Sequence, residues 1–419
     1  MNRADSAGGV HETAKGAIVA AFLCFAFAYF FSALARAITA TLAPALNAEL
    51  GLTAGNLGLL AGAYFLGFAA VQLPLGRALD RLGPKRVLLA FLAGAVLGCA
   101  AFALARGFVT LVLARMLIGM GVGACLMAPM KSFREHLPAS LQLRATSWML
   151  MTGSLGMIGS TLPVQWLLPE VGWRGLFWLL AMAFVLAISM IAALVPRDRP
   201  LAPELAGKDD GGYLDIVRER RFVRCVPLGF FNYGGMVAVQ SLWAGPWLTQ
   251  VCGYTSPEAA AGLFVINTAM LFTFMAWGGM LPKLYQRGWN APRLIARGLP
   301  ASLFVLGGAV LAGADASAWV WAAFCVTSTF VSLAQPSIGQ SYPAAQAGRA
   351  ISAFNLVIFS GVFAVQWGIG LVIDALKGLG WPDVSAFQGA FALFMLSCAF
   401  SYLWFLWFRD DCAQAPPAC

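Results

Sequence analysis

Three residues in an apolar stretch near the N-terminus have the side chains needed to bind an anion. In AYFFSALARAITATLAP, Tyr29, Ser32 and Arg36 stand at positions i, i+3 and i+7, which share one face of an α-helix. A guanidinium group offers a planar pair of donors to an oxyanion, so this face suits a carboxylate, sulfonate or phosphate group. The alternative is that Arg36 extends outward or donates to backbone carbonyls of the seventh apolar segment.

A second polar face is predicted in the segment FFNYGGMVAVQSLWAGPWLTQ. Asn232, Gln240 and Trp243 fall within about 80° of one another around a regular helix. Buried amides need hydrogen-bond partners, and amides beside an aromatic ring suit an organic group held by hydrogen bonds and stacking. The alternative is that the aromatic residues only pack. Further candidates for the same cavity are Tyr64, Asn267, Asn355 and Gln366.

The composition explains why these polar residues matter. The 419-residue chain is 60% hydrophobic and 11% charged, and its mean hydropathy is +0.78. Repeated continuous apolar runs of the length that crosses a bilayer indicate transmembrane helices, and they lack the alternation of barrel strands. The sequence therefore predicts an all-α polytopic membrane protein, in which an ionisable residue inside a span is a candidate functional group.

Twelve spans are predicted, in two pseudo-symmetric six-helix bundles. We expect bundles at 17–195 and 223–408, a cytoplasmic central loop at 196–222, and cytoplasmic tails at 1–16 and 409–419. The tripeptide VQW recurs at 164–166 and 365–367, in the fifth and eleventh spans, which favours a duplicated unit. The predicted spans are 17–45, 54–76, 87–105, 108–131, 145–168, 175–195, 223–250, 258–281, 294–313, 318–340, 350–374 and 387–408.

Basic residues predict the orientation of the chain. Of 27 Lys and Arg residues, 22 fall on the cytoplasmic side if both termini are cytoplasmic. Only Arg106, Arg174 and Lys377 fall outside, and Arg36 and Arg115 lie within spans. This asymmetry predicts a multi-pass protein of the inner membrane with both termini in the cytoplasm.

The loop GRALDRLGPKR between the second and third spans carries a recognisable motif. It fits the pattern G-x3-D-R-x-G-x-[KR]-[KR] and resembles the signature of the major facilitator superfamily, a resemblance that covers essentially the whole chain. The motif residues are Gly76, Asp80, Arg81, Gly83, Lys85 and Arg86. The resemblance implies that Asp80 pairs across the cytoplasmic ends of neighbouring helices and holds the inward side closed in one state. A generic positive loop is the alternative.

Two further features are similar to patterns of this family. ARMLIGMGVG in the fourth span resembles R-x3-G-x-G, with Arg115 as the charge and with Gly119 and Gly123 allowing close helix packing. Whether Arg115 packs helices or takes part in coupling stays open. Arg36 follows Tyr29 by seven residues in the first span. This pattern resembles that of the anion-transporting branches of the same superfamily. The resemblance implies two six-helix bundles that work by alternating access.

What the sequence lacks narrows the function. None of the 18 Asp and Glu residues lies in the middle of a span, and His11 and His136 are remote from each other. No metal site, cofactor or catalytic cluster is expected, so the chain is not expected to be an enzyme. The net charge of +9 marks topology and not nucleic-acid binding. The expected partners are the lipid bilayer and a small-molecule substrate, with a coupling proton or a counter-substrate, and the chain is expected to act as a monomer.

The sequence favours a secondary active transporter for a small organic solute. An organic anion is the preferred substrate, and a single negative charge is favoured because no pair of arginines is expected to face each other across the two bundles. An efflux pump for drugs or a metabolite is the alternative within the same class. A non-transporting membrane sensor with the same fold is the alternative from a different class.

Overall fold

A computed structural model describes residues 4–196, 198 and 213–408, and these residues form helices and short connections. No strand occurs within them. The helices before the central segment are α1 (Ala4–Leu50), α2 (Ala54–Ala70), α3 (Gln72–Leu82), α4 (Pro84–Leu104), α5 (Phe108–Gly121), α6 (Met127–His136), α7 (Ala139–Gly159) and α8 (Leu162–Leu194).

Ten α-helices follow the central segment in the described part of the chain. They are α9 (Tyr213–Arg218), α10 (Arg220–Pro227), α11 (Gly234–Ala238), α12 (Ala244–Gln250), α13 (Ser256–Gln286), α14 (Ala291–Ala312), α15 (Ala318–Ser328), α16 (Ala334–Gln340), α17 (Ala344–Gly378) and α18 (Asp383–Trp407). π-Helical stretches at Leu228–Tyr233 and Val239–Trp243 join α10, α11 and α12. Short 3₁₀ stretches lie at Gly313–Asp315 and Thr329–Leu333.

Nine helical stretches of the described residues are long and apolar enough to cross a membrane. A tenth is possible because α2 and α3 form a bent pair, with 44° between them. The predicted span 108–131 is divided between α5 and α6, and 145–168 runs from α7 into α8. The count of twelve therefore stays a prediction, while the multi-pass helical architecture is confirmed.

A glycine separates the two parts of α8. Gly172 has a φ of +66°, a left-handed conformation inside an otherwise helical stretch. It lies between the predicted fifth and sixth spans, so the chain changes direction there without a long loop. Sequence hydropathy places a short polar gap at this point, and the structure replaces it with a single non-helical residue.

The first compact unit contains the described residues within Met1–Leu50 and Ala63–Gly207. In it, α1 packs against α7 and α8, and α4 packs against α5 and α8. Phe102 of α4 stacks on Phe177 of α8 with 3.9 Å between ring centroids, and Trp173 meets the same ring edge-on. This aromatic contact helps to hold α4 on α8.

Two glycines bring the backbones of α2 and α5 into contact inside this unit. A Cβ atom on Gly119 would lie 1.9 Å from the carbonyl oxygen of Tyr64, and one on Gly67 would lie 2.0 Å from that of Met116. Real Cβ atoms do not approach so closely, so only glycine permits this packing. Gly119 thereby sets the position of Tyr64.

The second compact unit contains the described residues within Gly51–Gly62 and Lys208–Cys419. Here α17 packs against α18, α11 and α16. The end of the predicted central loop is helical, since α9 lies there, and the buried Ile216 of α9 packs beside Phe222 and Phe354. The Tyr342 hydroxyl donates to the Ile216 carbonyl at 3.3 Å, which anchors this helix to the unit.

The first turns of α2 pack on α17 within this second unit. The carboxylate of Asp374 accepts hydrogen bonds from the backbone N–H groups of Ala54 at 3.0 Å and Gly55 at 2.8 Å. A Cβ on Gly58 would lie 2.4 Å from the carbonyl oxygen of Gln366, so the two backbones touch. A carboxylate at a helix N-terminus satisfies donors that have no partner within the helix. A helix predicted for the first bundle therefore begins in the second unit.

We expect Gly119→Ala to destabilise the protein by about 1–3 kcal/mol, because the added methyl group must push α5 away from Tyr64. Gly94→Ala is the matched control, since its Cβ would make only an ordinary contact of 3.7 Å with the Cα of Gly121. Thermal melting of the purified proteins measures both. Equal melting temperatures for Gly119→Ala and the unsubstituted protein would contradict the close contact.

Candidate functional site

Arg36 lies at the centre of a polar cluster in the first unit. Its guanidinium interacts with the hydroxyl groups of Tyr29 and Tyr64, and its Cζ lies 5.9 Å from the centroid of the Phe68 ring. Arg36 is partly exposed, whereas Tyr29, Ser32 and Tyr64 are buried. No described group accepts a hydrogen bond from the Arg36 Nε atom. An accessible cation with an unused donor is therefore enclosed by aromatic and hydroxyl side chains.

Three helices position this cluster. Tyr29, Ser32 and Arg36 lie on α1 at the spacing that places them on one face, and Tyr64 comes from α2. The Tyr64 hydroxyl donates to the Ser32 carbonyl at 3.2 Å. A Cβ on Gly153 of α7 would lie 2.5 Å from the Tyr29 ring, so α7 closes against that ring. The sequence predicted the α1 face, and the structure adds Tyr64 directly to it.

Arg115 of α5 is fully buried and lies over the ring of Tyr64. Its Nη2 donates to the Thr39 hydroxyl at 2.5 Å, and its Cζ lies 5.2 Å from the centroid of the Tyr64 ring. Its Nε and Nη1 atoms have no hydrogen-bond partner in the described part of the chain. Tyr64 therefore contacts both guanidinium groups, a connection that the sequence motifs did not reveal.

Gly123, the other glycine predicted for close packing beside Arg115, follows the end of α5. A Cβ there would lie 2.7 Å from a methyl group of Val71, which stands between α2 and α3. Together with Gly119, it leaves room for the α2–α3 pair at the C-terminal end of α5. The same surface of α5 therefore packs against both Tyr64 and the bend between α2 and α3.

Two of the predicted amide candidates of the second unit bond to each other. Gln240 donates from Nε2 to the Asn267 side-chain oxygen at 3.0 Å, and Asn267 donates to the Leu263 carbonyl at 2.9 Å. Both side chains are buried. This pair joins the span that contains Gln240 to α13, because each amide uses its donors on protein acceptors.

Asn232 bonds to a different helix. Its Nδ2 donates to the Cys398 carbonyl at 3.1 Å and to the Ser401 hydroxyl, both on α18. Asn355 accepts from Gln335 Nε2 at 2.5 Å. The predicted common face of Asn232 and Gln240 therefore separates into contacts with two different neighbours.

Trp243 and Gln366 lie together, and each donates a hydrogen bond within the second unit. The Trp243 indole donates to the Gln366 carbonyl at 3.0 Å, and the Gln366 side chain donates to the Ser241 hydroxyl at 3.0 Å. Trp243 and Gln366 are fully buried. Among the predicted substrate-binding residues, Ser32, Arg36 and Gln366 each have a buried polar atom without a hydrogen-bond partner in the described part of the chain. Asn232, Gln240 and Asn267 use their amides to connect helices of the second unit.

The motif loop joins helices of the first unit at two points. Asp80 accepts from Lys131 Nζ of α6 at 2.5 Å, with the Asp80 side chain 74% exposed and Lys131 20% exposed. Lys85 donates from Nζ to the carbonyls of Ala192 at 2.9 Å and Val195 at 2.6 Å, at the C-terminal end of α8. A cation there complements the unpaired carbonyls of a helix end. Arg81 and Arg86 are exposed, and a Cβ on Gly76 would meet no atom within 4 Å.

Asp198 is a motif partner that sequence analysis missed. Its carboxylate accepts from the backbone N–H groups of Lys85 at 2.9 Å and Arg86 at 3.1 Å, at the N-terminus of α4. Gly83 has a φ of +84°, and a Cβ on it would lie 2.4 Å from the Asp198 carboxyl carbon. The signal in the sequence is an acidic residue directly after the apolar run that ends near residue 195.

No group of three or more metal-binding side chains lies together within the described ranges. The polar groups around Arg36 are donors and hydroxyls, which suit an anion and not a metal ion. The arrangement can therefore bind an oxyanion without a cofactor.

Comparison with known sequences agrees with this architecture. The model of the Major Facilitator Superfamily matches residues 25–366. The 4-hydroxybenzoate transporter PcaK of Pseudomonas putida is 26% identical over 298 residues, which cover 65% of each chain. The Cis,cis-muconate transport protein of Acinetobacter baylyi is 27% identical over 255 residues, 58% of this chain and 61% of that protein. The matches span about two thirds or less of these relatives.

The fold is also that of solved members of the same superfamily. The crystal structure of D-xylose-proton symporter aligns with a TM-score of 0.76 at 15% identity, over 94% of this chain and 98% of that one. At this identity the likeness concerns the fold alone. The predicted all-α polytopic fold is thus confirmed, and with the family model covering most of its length, the chain belongs to the Major Facilitator Superfamily.

Proposed function

We propose that the protein is a secondary transporter that moves a small organic anion across the inner membrane by alternating access. Arg36 carries the proposal, since it is a partly exposed arginine with an unused Nε donor inside an apolar helix assembly. An ionisable group at such a place is expensive unless it faces a cavity or a partner. Its guanidinium binds the anionic group, and Tyr29, Ser32 and Tyr64 orient it.

The relatives support an organic anion as the substrate class. Their names specify 4-hydroxybenzoate and cis,cis-muconate, both organic anions. The aromatic ring of Phe68 near Arg36 provides an apolar wall for the carbon skeleton of such a compound. The same pocket serves uptake or export, because binding chemistry does not set the direction of transport.

The motif loop is proposed as the element that changes during transport. Asp80 with Lys131, and Lys85 with the end of α8, hold helices of the first unit together through charge-assisted bonds on the side predicted to be cytoplasmic. We propose that these bonds break when the protein passes to the other conformational state of the transport cycle. We further propose that the protein acts as a monomer with both termini in the cytoplasm.

We expect Arg36→Gln and Arg36→Lys to abolish transport while leaving the protein in the membrane. Lysine keeps the charge but loses the planar pair of donors, so it should not substitute. A panel of organic acids is first tested on the purified protein for an increase in melting temperature. The organic acid that gives the largest increase is then radiolabelled, and its uptake into proteoliposomes is measured.

The control for Arg36 is Arg106→Gln, because Arg106 is an exposed arginine of the same unit. It should transport at the unsubstituted rate. If both Arg36 variants transport normally, Arg36 does not bind the substrate. If no organic anion shifts the melting temperature or is transported, the proposed substrate class is wrong.

We expect Asp80→Asn and Lys131→Gln to slow transport to a similar extent, and the double variant to be no slower than either. Both substitutions break the same ion pair, so their effects should not multiply. Melting temperatures should hardly change, since an exposed pair contributes about 0–1 kcal/mol. Multiplying rate losses would mean that the two side chains act separately.

We expect Asp198→Ala to speed hydrogen exchange of the Lys85 and Arg86 amides by about fivefold, equivalent to about 1 kcal/mol of lost capping. Asp198→Asn should have a smaller effect because the amide oxygen still accepts one bond. Asp80→Asn is the control and should leave exchange at these amides unchanged. Exchange that is the same in Asp198→Ala and the unsubstituted protein would show that the carboxylate does not cap α4.

A further inference from the structure

We propose that the substrate pocket takes a compound with two negative charges, one bound by Arg36 and the other by Arg115. This proposal rests on the proposed function and makes its substrate class more specific. It differs from the sequence-based prediction, which favours a substrate with a single negative charge. Tyr64 connects the two sites, because the Arg36 guanidinium interacts with its hydroxyl and Arg115 lies over its ring. Arg115 is then a specificity-determining residue and not only a packing residue.

The charge balance of the first unit is the first argument. Arginine stays protonated in proteins, so Arg115 carries a full charge although it is completely buried. The titratable side chains that face Arg115 are Tyr64 and Cys99, which are neutral, and Thr39 provides only a hydroxyl. Among the described residues, neither Arg36 nor Arg115 forms an ion pair. A buried cation without an opposite charge is strongly unfavourable, so the pocket attracts anions.

The unused donors are the second argument. Arg115 has Nε and Nη1 free in the described part of the chain, and Arg36 has Nε free. Ser32 adds a buried hydroxyl with no partner in the same part. Buried donors are nearly always satisfied, so a ligand with several acceptor oxygens fits this set. A second anionic group adds acceptor oxygens, so each guanidinium can bond to a group of its own in the forked geometry.

The geometry is the third argument. Thr39 follows Arg36 by three residues on α1, and it accepts the one hydrogen bond that Arg115 makes. The two arginines are therefore attached to adjacent turns of α1, one directly and one through Thr39. Both lie against one tyrosine, Arg36 at the Tyr64 hydroxyl and Arg115 over the Tyr64 ring. A compound with an anionic group at each end matches this arrangement.

The test compares each dianion with its own monoester, so that only one charge differs. The pairs are succinate with monomethyl succinate and terephthalate with monomethyl terephthalate, which sample two lengths. Dissociation constants are measured by calorimetry on the purified full-length protein. We expect the unsubstituted protein to bind at least one dianion about tenfold more tightly than its monoester.

Arg115→Gln should reduce this preference to about threefold or less, because it weakens dianion binding more than monoester binding. Arg115→Lys should keep only part of the preference, since it keeps the charge but loses the planar pair of donors. Arg36→Gln should weaken the dianion and the monoester together, and Arg106→Gln should alter neither. If Arg115→Gln does not fold, Thr39→Val replaces it, because that substitution removes the hydroxyl that orients Arg115.

Four results would overturn the proposal. Equal affinities for dianion and monoester in the unsubstituted protein would show that one charge suffices. A preference that survives both Arg115→Gln and Thr39→Val would place the second cation elsewhere. Arg36-dependent binding of monoanions alone would refute the double charge but keep the proposed transporter, whereas no binding of any organic anion would refute both.

Discussion

The structure of the first unit depends on how two guanidinium groups are kept inside an apolar helix assembly without a carboxylate beside them. Arg36 and Arg115 use hydroxyl groups and aromatic rings as partners, which lower the cost of burial without cancelling the charge. The remaining positive potential is what an anionic solute meets. The charge of the two arginines therefore lowers the stability of the apolar assembly and at the same time attracts the anion, as is usual for ionisable groups within spans.

Two glycines position the tyrosines of this cluster. Gly119 allows α5 to touch the main chain of Tyr64, and Gly153 allows α7 to close on the ring of Tyr29. Larger residues would move each tyrosine away from Arg36. The polar site is thus specified by the smallest side chains around it as much as by the residues that form it.

The sequence was sufficient for the multi-pass helical architecture and for the family, because hydropathy and the G-x3-D-R-x-G pattern are local signals. It was insufficient for the amides of the seventh predicted span. The prediction of one polar face assumed a regular α-helix. The π-helical stretches at Leu228–Tyr233 and Val239–Trp243 change the helical register. One extra residue in a turn rotates the later side chains by about 100° around the helix axis. Asn232 and Gln240 therefore bond to different helices. Asp198 was missed because its partners are backbone groups over one hundred residues away.

Most side chains around Arg36 and Arg115 come from the interiors of α1, α2, α4 and α5, and Cys125 comes from the short turn between α5 and α6. The helical backbones are already held by helix hydrogen bonds and by the glycine contacts. A ligand that enters has little backbone to order, so little conformational entropy is lost on binding. Affinity in such a preorganised pocket is then governed by how readily the anion gives up its hydration shell, so weakly hydrated organic anions have an advantage over small inorganic ones.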